Sequence, residues 1–405
     1  MGMQKNFILK EDCIERQQVF GFWLHTAKIE GLGNAGKEKL VSRFGTPEAV
    51  FGTTKEDLKD VLGREQAESL LAARKQDVFK AYREMTEQGI CFYPFYHPMY
   101  PKRLYRIPDR PFGIYVKGKL PGEQKRCIAI IGARDCSEYG RYAAEQFAAA
   151  LAKNGVAIIS GMARGIDGIA QQSALKAGGD SFAVLGCSAE ICYPSSHAKL
   201  YESLCMQGGI LSEYPPGTKP LPGRFPPRNR IISGLSDAVL VIEARKKSGT
   251  LITVDMALEQ GKEVYVVPGR ITDRLSDGCN GLIKQGASVA LSARQLIEEL
   301  SETVWSGENA GNDREMYTEA KGAADGVLHD GKGLSKEEQE LLSLLDFYPV
   351  SLDQIRIMMQ TKETLCGLTL PRTMEMLVML VLKGFVKNEG GYYALCAPIP
   401  VHQFR

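Results

Sequence analysis

Short apolar runs recur through the middle of the chain, and most are separated by stretches of helical periodicity. The runs are CIAIIG (127–132), VAIISG (156–161), FAVLG (182–186), ILSEY (210–214), AVLVIEA (238–244) and VYVVPG (264–269). Between them lie helix-patterned segments such as GRYAAEQFAAALAKNG (140–155) and GIAQQSALKAGG (168–179). Apolar strands without alternation, spaced by helices, predict a parallel sheet covered on both faces. Nearly every run ends in Gly or a small polar residue just before a helix. Ligands of such sheets bind beyond the carboxyl ends of the strands, so the candidate chemistry is sought there.

The flanks carry other patterns. Residues 12–95 have apolar positions at helical spacing with Gly punctuation, which predicts a helical domain over 1–95. Within it, IEGLGNAGKEKLVSRFG (29–45) is similar to a helix-hairpin-helix or SAM-like module, whose amides can meet a DNA phosphate; a plain helical packing domain is the favoured reading of the same residues. GLGNAGK (31–37) matches G-x-x-x-x-G-K, but Glu38 follows where a P-loop needs Ser or Thr, and no buried strand precedes it. An ATP site is therefore rejected. The α/β core is expected over 96–300, and a polar, Gly-rich linker over 301–332. Residues 333–405 read as helix, helix, helix and a hairpin around Gly390-Gly391, the order of a winged helix. The third helix, RTMEMLVMLVLKG, is poor in charge for a groove reader and favours protein contact or regulation.

Charge changes the picture only locally. The 405 residues carry a formal net charge of +2, with 44% hydrophobic and 24% charged residues, so no global basic field exists and an anion-binding surface must be local. Between Lys219 and Lys247, however, seven basic residues face two acidic ones, an excess of +5. Ten cysteines lie scattered without a C-x-x-C pair, which argues against zinc and a disulfide framework and for a reduced, cytoplasmic protein. No signal peptide or membrane-spanning run is expected.

Four strand-end stretches carry candidate contacts. In GARDCSEYGR (132–141), Gly132 allows close backbone approach and Arg134 supplies a donor fork, although a tight turn with a surface arginine reads the same way. In SGMARGIDGIA (160–170), Ser160, Gly161, Arg164 and Gly165 are candidates, while Asp167 reads as structural. In RKKSGTLIT (245–253), Ser248, Gly249 and Thr250 open a helix whose amides and dipole suit an anion, and ordinary capping is compatible with that. In PGRFPPRNRIISGLS (222–236), Phe225 offers a stacking face, and Arg228, Asn229 and Arg230 offer donors to phosphate or base edges. A ring beside basic side chains is a single-strand nucleic-acid pattern, although a solvated loop would show it too.

Taken in order, IGARDCSEYG, SGMARGID, ALKAGG, AVLGC…YP, LSEYPPGTKP, FPPRNRIISGLSDAVLVIEARKKSGTLIT, ALEQGKEVYVVPG and DGCNGLIKQGA resemble the DprA (Smf) family over about 105–295. The resemblance implies an extended Rossmann-like core that dimerises, binds single-stranded DNA and delivers it to the RecA recombinase during transformation and recombination. It implies no metal, no nucleotide cofactor and no enzymatic step. By that resemblance Arg134, Phe225, Arg228, Asn229 and Arg230 are DNA contacts. Ile283, Lys284 and Val289, in GCNGLIKQGASVAL (278–291), belong to the region that forms the dimer contact. Two positions depart from the family pattern: Gln171 stands where His is usual, and Asp180 stands after the double Gly.

Two rival readings stay open at this point. SGTLITVDMALEQG distantly resembles the phosphate loop of Rossmann-like nucleotide phosphoribohydrolases, but the first acid after Thr250 is Asp255, more than a helical turn away. A recombinase-binding adaptor without DNA contact is the other; the local basic excess argues against it.

Overall fold

The computed structural model describes residues 11–305 and 334–396. Six helices come first: α1 (Glu11–Thr26), α2 (Asn34–Phe44), α3 (Pro47–Gly52), α4 (Lys55–Leu62), α5 (Arg64–Ala73) and α6 (Val78–Glu87). Their starts follow from local chemistry. Thr46, Thr54 and Asp77 each accept a backbone N–H from the first turn of the helix they cap. Trp23, Leu40, Leu58 and Leu70 share one core with Phe92, Tyr115 and Leu185, so these helices are packed on the edge of the sheet.

Two strands, β1 (Ile90–Pro94) and β2 (Gly113–Gly118), precede the alternating part of the chain. Strands and helices then follow as β3 (Cys127–Gly132), α7 (Glu138–Lys153), β4 (Ala157–Ser160), α8 (Ile166–Lys176), β5 (Ser181–Leu185), α9 (Ala198–Gln207), β6 (Gly209–Ser212), α10 (Phe225–Leu235), β7 (Ala238–Ile242), α11 (Gly249–Glu259), β8 (Glu263–Val266), α12 (Asp277–Lys284), β9 (Ser288–Val289) and α13 (Ala293–Thr303). They form a nine-stranded sheet in the order β1-β2-β6-β5-β4-β3-β7-β8-β9. Pairing is parallel from β6 through to β9, whereas β2 runs antiparallel to β6 and β1 to β2. All six expected apolar runs are strands. β1 lies on the N-terminal side of the expected 95/96 boundary, so the sheet starts earlier than composition suggested. Its five residues alternate in burial, but so short a run is hidden behind the stronger helical pattern of α6.

The strand order advances from β3 through β4 and β5 to β6, then returns to the other side of β3 with β7. This reversal is a topological switch point, where the two connections leave in opposite directions and open a crevice. The faces alternate accordingly. Ile128 and Ile130 pack with Phe147, Leu151 and Ile166, while Ala129 and Ile131 pack with Ile231, Leu235 and Val254.

PGRFPPRNRIISGLS is not a loop. Residues 225–235 are helix α10, because Pro226 and Pro227 fall in its first turn, where the backbone needs no N–H donor. From there Ile231, Ile232 and Leu235 are buried in the core.

The chain closes with α14 (Lys336–Leu344), β10 (Val350–Ser351), α15 (Leu352–Met359), α16 (Leu370–Leu382), β11 (Val386–Glu389) and β12 (Tyr392–Leu395). The last two strands meet at Gly390 and Gly391, both at positive φ, as a two-residue hairpin turn requires. Most of the expected linker lies outside the described residues. Its first residues are helical, since α13 extends to Thr303. Among the described residues no helix is long and apolar enough to cross a membrane.

Candidate nucleic-acid interface

Three helices begin at the switch point, and their N-termini differ in one decisive respect. At α7, Ser137 caps the helix, and its amide donates to Glu243 Oε2 at 2.9 Å while its hydroxyl bonds Glu243 Oε1. A buried carboxylate from the end of β7 thus occupies that dipole, with Glu243 held at φ +55. At α8, Asp167 Oδ2 accepts the Gly161 amide at 3.1 Å. Burial raises the Asp167 carboxyl above its ordinary range, against the lowering influence of Arg228 and of hydrogen bonds to the loop amides. Asp167 is buried and turned inward, and Gly165 stands at the N-cap position of α8.

At α11 no acidic residue stands in the first turn. Ser248 caps it by accepting the Thr250 amide at 3.2 Å, and Thr250 Oγ1 donates to the Gly132 carbonyl at 3.1 Å. The last residue of β3 and the first turn of α11 are therefore tied together across the switch point. Gly132 has to be glycine here, because a Cβ would run into the Ile242 carbonyl and the Ile166 side chain. Around this open positive end stand Arg134, Arg164, Arg245, Lys246 and Lys247, all exposed. Arg164 reaches Asp135 at 3.5 Å, a pair whose two side chains are mostly in water.

The other expected contacts are placed differently. Arg228 is 5% exposed and Arg230 is 7% exposed. Arg228 Nη1 donates to the carbonyls of Gly161 (2.9 Å) and Val184, so the fork that was expected to grip phosphate instead pins the ends of β4 and β5. Burial pushes the Arg228 guanidinium down to about 10, and Asp167 works in the opposite direction. Arg230 donates to Glu213 Oε1 at 2.7 Å, to the Asp109 carbonyl at 2.8 Å and to the Pro227 carbonyl at 2.9 Å. The expectation of free guanidinium forks at 228 and 230 is corrected because α10 is enclosed on more than one side: Arg228 is covered at the ends of β4 and β5, and Arg230 by Glu213 and the Asp109 backbone. Ser160 and Gly161 are corrected likewise. Ser160 is buried and donates its hydroxyl to the Ile130 carbonyl at 2.6 Å, and Gly161 is buried beneath Arg228.

Phe225 and Asn229 are half-buried. The Phe225 ring lies 5.4 Å from that of Tyr193, which is exposed, and the Arg228 guanidinium carbon lies 5.9 Å from the centre of the Phe225 ring. Sequence reasoning missed Tyr193, since it stands 32 residues before Phe225 and only the fold brings the rings together. It also passed over Arg245, Lys246 and Lys247 as individual contacts, although their charge was legible. Gln171, the departure from the family pattern, is buried, and its Oε1 accepts the Met162 amide at 3.0 Å, with Met162 at φ +53 in the loop after β4. Asp180 pairs with Lys125 at 2.7 Å, away from the strand-end loops. Ile283 and Val289 are half-buried and Lys284 is exposed, with Ile283 packed partly against its own core.

The model of the family described as DNA recombination-mediator protein A matches residues 92–301, more than half of the chain. The chain belongs to that family. Among members of the DNA recombination-mediator protein A family, protein Smf of Synechocystis is 35% identical over 69% of this chain and 72% of its own length. Protein Smf of Escherichia coli is 42% identical over 57% of this chain, a match spanning 64% of that protein. DNA processing protein DprA of Streptococcus pneumoniae is 40% identical over 49% of this chain and 71% of its own length. The X-ray structure of the S. pneumoniae protein superposes with a TM-score of 0.62 at 31% identity, covering 69% of this chain and 97% of that one. The family match ends before α14, so the winged-helix reading of the C-terminal module rests on its element order.

Proposed function

We propose that this protein binds single-stranded DNA without strong sequence preference, and that as a homodimer it delivers the strand to a RecA-type recombinase. The observation that carries the DNA reading is the α11 N-terminus, free of acidic residues in its first turn and fringed by Arg134, Arg164, Arg245, Lys246 and Lys247. Helix amides and the dipole favour an anion there, and the five cations would follow successive phosphates along the mouth of the crevice. The half-exposed pair of Tyr193 and Phe225 supplies a face on which a base can stack without hydrogen-bond readout. Membership in a recombination-mediator family supports the recombinase half of the proposal. Fluorescence anisotropy of full-length protein with labelled single strands and blunt duplex across a salt series tests the DNA half. Preference for single strands that weakens with salt is expected; equal affinity for duplex refutes it. Recombinase filament nucleation on single strands, with and without the protein, tests the other half.

A further inference from the structure

Arg270 lies in the loop after β8, on the same side of the sheet as the α11 seat. The Val267 amide donates to the Val241 carbonyl at 3.0 Å and the Gly278 amide to the Ala244 carbonyl at 2.7 Å, so this loop flanks the basic 245–247 stretch. Yet Arg270 points its charge at the C-terminal module. Its Nη2 lies 3.2 Å from Asp346 Oδ2, and its guanidinium sits 3.2 Å from the centre of the Tyr348 ring. Between those two residues, Phe347 reaches α7, with ring centres 4.9 Å from Tyr142 and 6.1 Å from Tyr139. Tyr139 in turn donates its hydroxyl to the Pro268 carbonyl at 2.9 Å, two residues before Arg270.

A carboxylate on one edge of a guanidinium and an aromatic ring on its face are the two groups a nucleotide presents to arginine: an anion and a π surface. We propose that Arg270 is a further single-strand contact, and that the Asp346-Phe347-Tyr348 segment occupies it in the unbound protein as a nucleotide mimic. A strand that extends from the α11 seat toward β8 then displaces the segment and loosens the C-terminal module from the core. The inference rests on the single-strand reading above and adds to it a competitor within the chain. The contact suits a switch because it is weak: the Arg270 and Asp346 side chains are about half exposed, at 52% and 58%. A phosphate and a stacked base can outcompete such a pair, whereas a buried ion pair would hold.

The test uses full-length protein and a labelled oligothymidylate. Asp346→Asn removes the anion from an exposed side chain without threatening the fold, and it should tighten binding roughly 2- to 5-fold, the range an exposed ion pair commands. Phe347→Ala should act in the same direction. In an Arg270→Ala background the gain from Asp346→Asn should vanish, since the competed group is gone. Hydrogen exchange of backbone amides over 346–350 should rise when the oligothymidylate is added to wild type. If wild type binds but Asp346→Asn and Phe347→Ala bind identically to it, the inference is overturned and the single-strand reading stands. An equal gain in the Arg270→Ala background also overturns it, because the effect is then general repulsion. If wild type does not bind oligothymidylate, the single-strand reading fails and takes the inference with it.

Discussion

Arg134 presents its guanidinium to solvent and Arg228 spends its own on two carbonyls, so the same truncation separates binding from stability. Arg134→Ala should leave the melting temperature unchanged and weaken single-strand binding by about 1–3 kcal/mol, roughly 5- to 150-fold. Arg228→Ala should instead strand the Gly161 and Val184 carbonyls and remove the cation nearest Asp167, destabilising the fold by about 2–4 kcal/mol in urea melts. Lys37 gives a residue-scale test by pH. Its ammonium is buried and donates to the His25 carbonyl at 3.0 Å, an inward role unlike that of a P-loop lysine. Burial lowers its pKa to about 8, with Glu213 opposing. A pKa depressed in the folded state means the unfolded chain binds more protons, so the Lys37 contribution is complete above 10.5 and is lost as pH falls through about 8. Wild type should therefore gain stability relative to Lys37→Met between pH 7 and 10; parallel curves would refute this. His25, lowered by burial and by Lys37, adds a loss of stability of the same sign below 6.5.

At the scale of elements, the strand-end loops are shaped by conformations that few residues adopt. Gly165 has φ +73, and a Cβ there would strike the carbonyls of Ala133 and Arg134. Gly165→Ala should cost about 2–4 kcal/mol of stability, beyond the roughly 1 kcal/mol of ordinary left-handed strain, because two loops must part. Elements at the far edge frame a different prediction. β9 is the last strand of the sheet, and α12 leads into it with Ile283 half-buried beside exposed Lys284. If this edge forms the twofold contact, Ile283→Glu places a charge against its own copy, and sedimentation should show monomers. An unchanged dimer would put the interface elsewhere. Much of this level was readable beforehand: six apolar runs became six strands, and the Gly390-Gly391 turn became a hairpin. Helix α10 was not, because two prolines and three arginines look like a loop until the first-turn tolerance for proline is matched to a buried face.

For the whole molecule, three to five phosphates held at the crevice mouth give a log–log salt slope of roughly −2 to −3.5 on single strands. A flat response would count against the basic fringe, and Arg134→Ala should reduce the slope by about 0.7. That fringe is local: five exposed cations stand at one end of the sheet in a chain whose net charge is only +2. The sequence alone determined the parallel core, the place of the crevice and the family, since unalternating apolar strands, glycine-ended loops and an ordered set of motifs are local properties. Tertiary structure decided which of the motif residues meet solvent. Arg228 and Arg230 lie in the most telling motif, yet packing of α10 against the sheet buries them, and the carbonyls at the ends of β4 and β5 and Glu213 accept their hydrogen bonds. Arg245, Lys246 and Lys247 lie in a loop, where none of the described residues encloses them, and stay exposed. The pairing of Tyr193 with Phe225, and of Arg270 with Asp346 and Tyr348, joins positions far apart in the chain. Periodicity records which face of an element is apolar, but only packing determines which distant element comes to lie against it.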